Sequence, residues 1–525
     1  MNEIITTSLL SVPTIILILV STRLVSMNMS YKLIQIALYL AILGGTGAMT
    51  WNCINENFGA NLFDVKYLAL SLRFDALSSL VYTMIAIIGL VVMRYSRNYL
   101  EGEERHQLFF ARLAITIAFV QLLVISGNLS TIYIAWIGTS IGLHKLLLFY
   151  PERKRAQLAA RKKFIIARIG DLTLLAAFIL ISIELNSADL NEIFERLNNL
   201  SQHEISLELE LAGIFLVLTA CLKSVQIPFH GWLLEVMETP TPVSALLHAG
   251  LLNAGPFLIL RFAHLIDQTT LAATLLILIG GLSALFGAIV GTTQSAIKTS
   301  LAYSSIGHMG FSLMICGLGV YSASLLHLVG HSFYKAHAFL SSGSLIEKIK
   351  TTNADNYKRI YKVNKIILAV ITSALLYIKI TYLWQNNTQL DFQLIIISGI
   401  IYLAILSLYI NTLDSNNSKQ SIFYLIISSL VVINCFYLFE HTFAMYLGEQ
   451  IPSIKNLNEG LKILIIAIML FFSLTVLSQS IFTRLNNSPF FVRLEIHLRN
   501  GFYINHYMNR FLSSLTIKPK NNFEI

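Results

Sequence analysis

The stretch KSVQIPFHGWLLEVMETPTPVSALLHAG, residues 223–250, sets Lys223, His230, Glu235, Glu238 and His248 among apolar residues and three prolines. An ionisable side chain inside a membrane span costs roughly 2.5–3.5 kcal/mol on insertion scales. Such a group needs a pairing or a functional reason. Lys223 closes an apolar run, and Pro228 removes a backbone donor just beyond it. A helix break is therefore expected at QIPFHG, where the freed carbonyls must face protein or water rather than lipid. A lysine beside such a break suits a hydrated proton or ion site, with His248 in the following span as a second station. The plain alternative is a lysine that snorkels to an interface. Glu235 and Glu238 are placed either to set the pKa of Lys223 by proximity or to lie as exposed loop charges.

A second cluster is HLVGHSFYKAHAF, residues 327–339. His327, His331 and Lys335 are spaced i, i+4, i+8, which puts them along one helical face. Histidine titrates near physiological pH and passes protons in both directions, so the stripe reads as a polar wire. Alternatively, each histidine caps a neighbouring carbonyl. A zinc site is disfavoured, because the H-x-x-x-H pair lacks the zincin glutamate and a third ligand of clear spacing. Lys379 stands in an apolar run with no Pro or Gly to break it, and reads either as a partner to Lys223 or as a snorkelling lysine. Asp171, after ARIG, is placed to pair with Arg168 or with a lysine. His144, Lys145, Lys298 and His308 are lesser candidates near span ends.

The elements that must carry these residues are membrane helices. Of 525 residues, 55% are hydrophobic and 12% charged, about half the charged share of a soluble protein. Runs of about 20 apolar residues, enough to span a bilayer, recur near 4–22, 31–50, 75–94, 108–126, 129–149, 163–185, 209–227, 243–263, 271–291, 297–316, 319–345, 364–384, 392–411, 420–438 and 462–482. The fold class expected is all-α and polytopic, with about 14–15 transmembrane helices and at least one broken. Under strict alternation one side carries roughly 26 Lys/Arg and the other roughly 6, which places the C-terminus in the cytoplasm. The loop PERKRAQLAARKK (151–163) reads as the main cytoplasmic anchor or as a docking surface. The formal charge of +9 is spent on short connections, so nucleic acid is not the expected partner. The four cysteines are scattered with no C-x-x-C pair, which disfavours zinc, iron–sulfur and disulfide frameworks. The first apolar run reads as a retained helix rather than a signal peptide.

Five regions are expected: N-terminal helices (1–107), a five-helix unit (108–263), a second five-helix unit (271–411), C-terminal helices (412–484) and a basic cytoplasmic tail (485–525). Lys223 and Lys379 each fall in the fourth span of their unit. An odd span number inverts the second unit relative to the first, a plan common in transporters. The tail FFVRLEIHLRNGFYINHYMNRFLSSL reads as an interfacial helix or a docking element. No G-x-x-x-x-G-K-[ST], no G-x-G-x-x-G opening a helix and no nucleophile elbow is present: the G-x-S-x-G match GTSIG (138–142) lies inside an apolar run, not at a strand-to-helix turn. A transporter subunit without a catalytic site of its own is therefore expected.

CLKSVQIPFHGWLLEVMETPTPVSALLHAG, AIKTSLAYSSIGHMGFSLMICGLG, LLHLVGHSFYKAHAFLSSGSLI, RFDALSSL and ARIGD resemble the antiporter-like subunit family of NADH:quinone oxidoreductase (subunit 5 type) and of multi-subunit sodium/proton antiporters. The likeness is clear over about 70–350. It implies about fourteen helices in two inverted repeats, with broken helices that each carry a lysine. It also implies a proton path through Lys223, His248, His327, His331 and Lys335, with Lys379 as the second broken-helix lysine. The respiratory members carry a glutamate after the tryptophan of span five, where AWIGTSIGLHKLL has Ile137, and a long lateral C-terminal helix not found here. GLHKLLLFYPERKRAQLAARKKFIIARIGD and RYSRNYLEGE resemble the membrane-subunit family (DabB) of the DAB inorganic-carbon accumulation system. That resemblance implies a large cytoplasmic DabA-type partner similar to a zinc β-carbonic anhydrase. The zinc is then expected in the partner, with no cofactor in this chain. It also implies a plasma-membrane location and an ion gradient, of protons or sodium, that drives hydration of carbon dioxide to bicarbonate.

Overall fold

The computed structural model describes residues 2–54, 58–65, 68–200, 205–236, 239–343, 363–388, 391–414, 419–455, 457–485 and 489–514. In chain order the elements are α1 (Asn2–Ser21), α2 (Met27–Asn52), β1 (Phe58–Val65), β2 (Leu68–Phe74), α3 (Ala76–Tyr99), α4 (His106–Val124), α5 (Leu129–Leu147), α6 (Lys154–Glu184), α7 (Leu190–Asn199) and α8 (Leu207–Lys223). After a break come α9 (Gly231–Glu235), α10 (Thr241–Ala249), a 3-10 turn at Leu251–Asn253, α11 (Ala254–Arg261), α12 (Ala263–Gln268), α13 (Thr270–Gly291), α14 (Ile297–Gly317) and α15 (Tyr321–Leu340). The C-terminal part holds α16 (Val363–Thr388), α17 (Phe392–Asp414), α18 (Lys419–Leu447), α19 (Glu459–Leu485), α20 (Pro489–Arg499) and α21 (Ile504–Ser514).

Every apolar run of the sequence falls on a helix, with α10 and α11 sharing the eighth. The protein is an all-α polytopic membrane protein. Among the described residues, eleven helical spans are long and apolar enough to cross a membrane. Helices α5, α8, α14 and α15 fall outside that set because they are shorter or more polar. They are also the helices that carry Lys223 and the histidine–lysine stripe, so the departure from hydrophobicity marks the site.

One core unites the helices from α1 to α15. A second joins α16–α19 to parts of α13, α14 and α15. Helices α13 and α14 approach most closely. A Cβ on Gly280 would lie 2.6 Å from the Gly310 carbonyl oxygen, and one on Gly287 would lie 2.5 Å from the Gly307 nitrogen. Small residues of this kind let membrane helices pack backbone to backbone.

Strands β1 and β2 form an antiparallel hairpin with a register shift at Asn61/Phe63, in a stretch between apolar runs to which the sequence reading assigns no element. The hairpin is tied to the helices through the Arg73 N–H, which donates to the Ile125 carbonyl at 2.8 Å. Asp75 caps α3: its carboxylate accepts from the Ser78 N–H at 2.8 Å, and Ser78 Oγ accepts from the Asp75 N–H at 2.8 Å, a capping box. The same carboxylate pairs with Arg73 at 2.7 Å and with Arg261 of α11. Burial alone would raise the Asp75 carboxyl, but the two guanidiniums hold it well below the usual carboxylate range. Replacing one partner of a buried ion pair strands the other charge. Asp75→Ala is therefore expected to cost roughly 3–5 kcal/mol, read as a lower melting temperature of the detergent-solubilised protein.

Candidate functional site

Helix α8 has 17 residues. At about 1.5 Å per residue it runs about 26 Å, less than the roughly 30 Å hydrocarbon core. It ends at Lys223, and Val225 then takes a left-handed φ of 60°, rare for a β-branched residue. Ile227–Pro228 is a cis peptide bond. Neighbours satisfy the opened backbone. Ser224 Oγ donates to the Leu252 carbonyl at 2.8 Å, Gln226 Nε2 donates to the Ser224 carbonyl at 2.7 Å, and Ser283 Oγ accepts from the Ile227 N–H at 3.2 Å. Close approach of α11 is allowed by Gly255, where a Cβ would lie 2.0 Å from Ser224 Oγ.

Lys223 faces α5. Its Nζ donates to Thr139 Oγ1 at 2.9 Å and lies 4.3 Å from the centre of the Trp136 ring. Both contacts are neutral, and they flank Ile137. The carboxylate comes from α6 instead: Asp171, 4% exposed, lines the same cavity as Lys223 and Lys163. Its Oδ2 lies 2.6 Å from Arg168 Nη2. Lys163 Nζ donates to the Ser140 carbonyl at 2.6 Å and to Ser140 Oγ at 2.8 Å. The cavity is about 30 Å³, enough for about two ordered waters. Two lysines, one aspartate and the hydroxyls of α5 thus surround a small space inside the bundle with room for water.

Lys163 was hidden in the sequence by its place at the end of PERKRAQLAARKK, which reads as a loop anchor. Helix α6 starts at Lys154 instead, so the last lysines of that run are inside the protein. Lys163 and Asp171 are eight residues apart, two turns along one face, and that spacing was the available signal. Lys162, also buried, pairs with Glu235. Glu235 is therefore engaged by Lys162, and Asp171 is the carboxylate that shares a cavity with Lys223. Glu238 lies outside the described residues. Lys163→Met removes a cation from the cavity and is expected to slow transport about a hundredfold, the lower end for loss of a positioned proton-transfer group, with unchanged protein in the membrane. A wild-type rate would deny Lys163 this part.

The second cluster forms where α10, α14 and α15 meet. His248 Nδ1 lies 2.8 Å from Ser305 Oγ, and its ring stacks on Phe339 with centres 4.2 Å apart. Lys335, fully buried, donates to the Leu301 carbonyl at 3.0 Å. His327 and His331 lie on α15, with ring centres 6.1 Å apart. His308 of α14 sits against both, at 5.2 Å and 5.3 Å. The sequence set His308 at a span end, whereas the structure places it in the middle of the stripe. Neither ring nitrogen of His331 has a hydrogen-bond partner among the described residues. His331 is therefore not a cap of a carbonyl, whereas His327 keeps a backbone hydrogen bond to His308. Asn253 ties α10 to α15 beside this cluster: its Nδ2 donates to Ser332 Oγ at 2.6 Å and to the Ala249 carbonyl at 2.9 Å. Leu247, Leu251 and Leu252 line the Lys223 cavity.

The structure brings Lys223, Asp171, His248, His327, His331 and Lys335 into these two clusters and leaves Lys379 out. Helix α16 runs unbroken through Lys379, which is exposed on its outer face. With no Pro or Gly the helix has no cause to open, so the parallel with Lys223 fails. Glu440 of α18, not singled out in the sequence, is buried and accepts from Ser322 Oγ at 2.6 Å.

A bundle of this kind, with broken helices and buried lysines and histidines, defines a class of multi-pass membrane proteins built to hold charge inside the bilayer. Two family models match: the transmembrane region of NADH:quinone oxidoreductase and Mrp antiporters over residues 126–381, and the N-terminus of complex I NADH-ubiquinone oxidoreductase chain 5 over 65–110. The chain belongs to this antiporter-like subunit family. It is 45% identical over 283 residues to a protein of Halothiobacillus neapolitanus named "Probable inorganic carbon transporter subunit DabB2", covering 54% of this chain and 51% of that protein. It is 35% identical over 342 residues to "Probable inorganic carbon transporter subunit DabB" of Hydrogenovibrio crunogenus, covering 61% and 66%. The chain thus spans about half to two-thirds of the length of these curated relatives. In fold it resembles a chain of the Mrp complex from Dietzia sp., with a TM-score of 0.62 at 19% identity over 99% of this chain and 61% of that one.

Proposed function

We propose that the chain is the ion-conducting membrane subunit of an inorganic-carbon uptake complex, carrying protons or sodium inward and coupling that flow to a cytoplasmic partner. The observation that carries this reading is the pair of buried clusters, Lys163–Asp171–Lys223 and His248–His308–His327–His331–Lys335, with Leu247, Leu251 and Leu252 lining the first. Lysine and histidine nitrogens take and release protons, while the leucines make the cavity lining apolar. The names of the relatives support the inorganic-carbon branch. So does the neutral setting of Lys223 on α5, where respiratory members are expected to hold a glutamate.

The charge asymmetry along the sequence supports a tail in the cytoplasm. There the partner would be a large subunit resembling a zinc β-carbonic anhydrase, with the zinc and the hydration chemistry belonging to it. One charge crossing 100 mV supplies about 2.3 kcal/mol, so each ion shifts a coupled equilibrium by less than about a hundredfold. The testing experiment is affinity capture of the tagged chain from mild-detergent membranes of its native host, with partner identification and zinc analysis. Co-purification of a zinc-bearing carbonic-anhydrase-like subunit is the expected result. Capture of respiratory or antiporter subunits instead would move the chain to a proton-pumping or cation/proton antiporter role.

A further inference from the structure

The helix break holds a histidine that neither cluster uses. His230 is fully buried, and neither of its ring nitrogens has a hydrogen-bond partner among the described residues. Its neighbours include Phe286 at 5.2 Å and Tyr303 at 6.3 Å between ring centres. Four residues earlier, the buried Gln226 Oε1 is also unpartnered. The other ionisable group described in this segment, Glu235, is engaged by Lys162. Buried polar atoms are nearly always paired, so this run of unpaired ones needs a reason.

The C-terminal strap ends on the same spot. The Arg499 carbonyl, at the end of α20, accepts from Gln294 Nε2 at 3.2 Å. The chain then turns through three successive left-handed residues, Gly501 (φ 56°), Phe502 (φ 50°) and Tyr503 (φ 60°). Gly501 sits against Tyr303, whose hydroxyl would lie 2.9 Å from a Cβ there. Helix α21 then rests on α9. Asn505 Oδ1 would lie 1.8 Å from a Cβ on Gly231, and it is buried without a hydrogen-bond partner. The residue next to His230 therefore has to be glycine for Asn505 to seat.

We propose that His230 is a proton-transfer station between the Lys223 break and the face that carries the tail, and that the α20–α21 strap shuts it by seating Asn505 on Gly231. The proposal rests on the proton-conducting reading above. One ring nitrogen takes a proton from the Lys223 side and the other releases its own toward the tail. The ring passes through imidazolium and returns to neutral, so no other reactant is needed. Two unpaired nitrogens suit that exchange when water enters. Displacement of the strap, by a partner that grips its basic residues, would admit that water.

The test is proton uptake by liposomes holding the full chain with the subunits that co-purify with it, followed by an internal pH dye. Asn505→Ala and Gly231→Ala unseat the strap from its two sides, and each is expected to raise uptake several-fold. His230→Gln is expected to lower it at least about tenfold, and His230→Gln with Asn505→Ala should stay low, since the strap acts through His230. A double variant as fast as Asn505→Ala alone, or strap variants at the wild-type rate, would overturn the proposal while wild-type uptake stands. Wild-type uptake no faster than that of empty liposomes would instead overturn the conduction reading and this station with it.

Discussion

Lys223→Ala is expected to abolish ion transport while the protein stays in the membrane at its normal level. Lys223 is the charged end of α8, fixed by Thr139 and Trp136 over the cavity it shares with Lys163 and Asp171. Alanine removes the proposed proton carrier and leaves the break itself intact, because the hydrogen bonds of Ser224, Gln226 and Ile227 do not depend on the lysine side chain. The loss should be at least about a hundredfold, the usual worth of a positioned proton-transfer group. Lys223→Arg should fail almost as completely, since a guanidinium does not release its proton in the physiological range. The check is growth at low carbon dioxide, or uptake of labelled inorganic carbon, beside an immunoblot of membranes. A fully active Lys223→Ala protein would remove Lys223 from the path.

The second large effect is expected from His331→Ala combined with Lys335→Ala. These residues stand one turn apart on α15. Lys335 is held by the Leu301 carbonyl, and His331 lies against His308 and His327. Either change alone leaves the other group beside His248 and His308, so a single variant should retain part of the rate. Together they remove the middle of the line, and transport should fall below about one per cent of wild type. Neither side chain anchors α15 by an ion pair among the described residues, so assembly should survive. Intact transport in the double variant would mean that the chain is a scaffold with a plugged channel.

The sequence made the first of these sites readable for physical reasons. A lysine at the end of an apolar run, followed by a proline, is costly unless something is built around it, and the break was placed correctly from those two residues. The i, i+4, i+8 spacing on α15 was equally plain. Lys163 was not, because a basic residue next to other basic residues reads as a charged loop until the start of the helix is known. His308 needed the packing of α14 on α15, which no local pattern encodes. Lys379 misled in the other direction: a lysine in an apolar run carries the same cost on paper, but on the outer face of an unbroken helix it escapes that cost. The hairpin of β1 and β2 was hidden because its strands are too short to span a bilayer, although Leu68, Leu70, Leu72 and Phe74 alternate with Ala69, Ser71 and Arg73 in the period of a strand. The seat of Asn505 on Gly231 is a contact between residues far apart in the chain, so the tail's role as a strap could not be read from its amphipathic pattern alone.

The central claim, that this chain carries ions through the Lys223 and Lys335 clusters, is tested most directly by proton influx into liposomes under an imposed membrane potential. Wild type and Lys223→Ala would be reconstituted at equal density with the subunits that co-purify with them. The account predicts inward proton or sodium flow for wild type, dependent on the potential, and flow at the level of empty liposomes for Lys223→Ala. Equal flow through both proteins would contradict it.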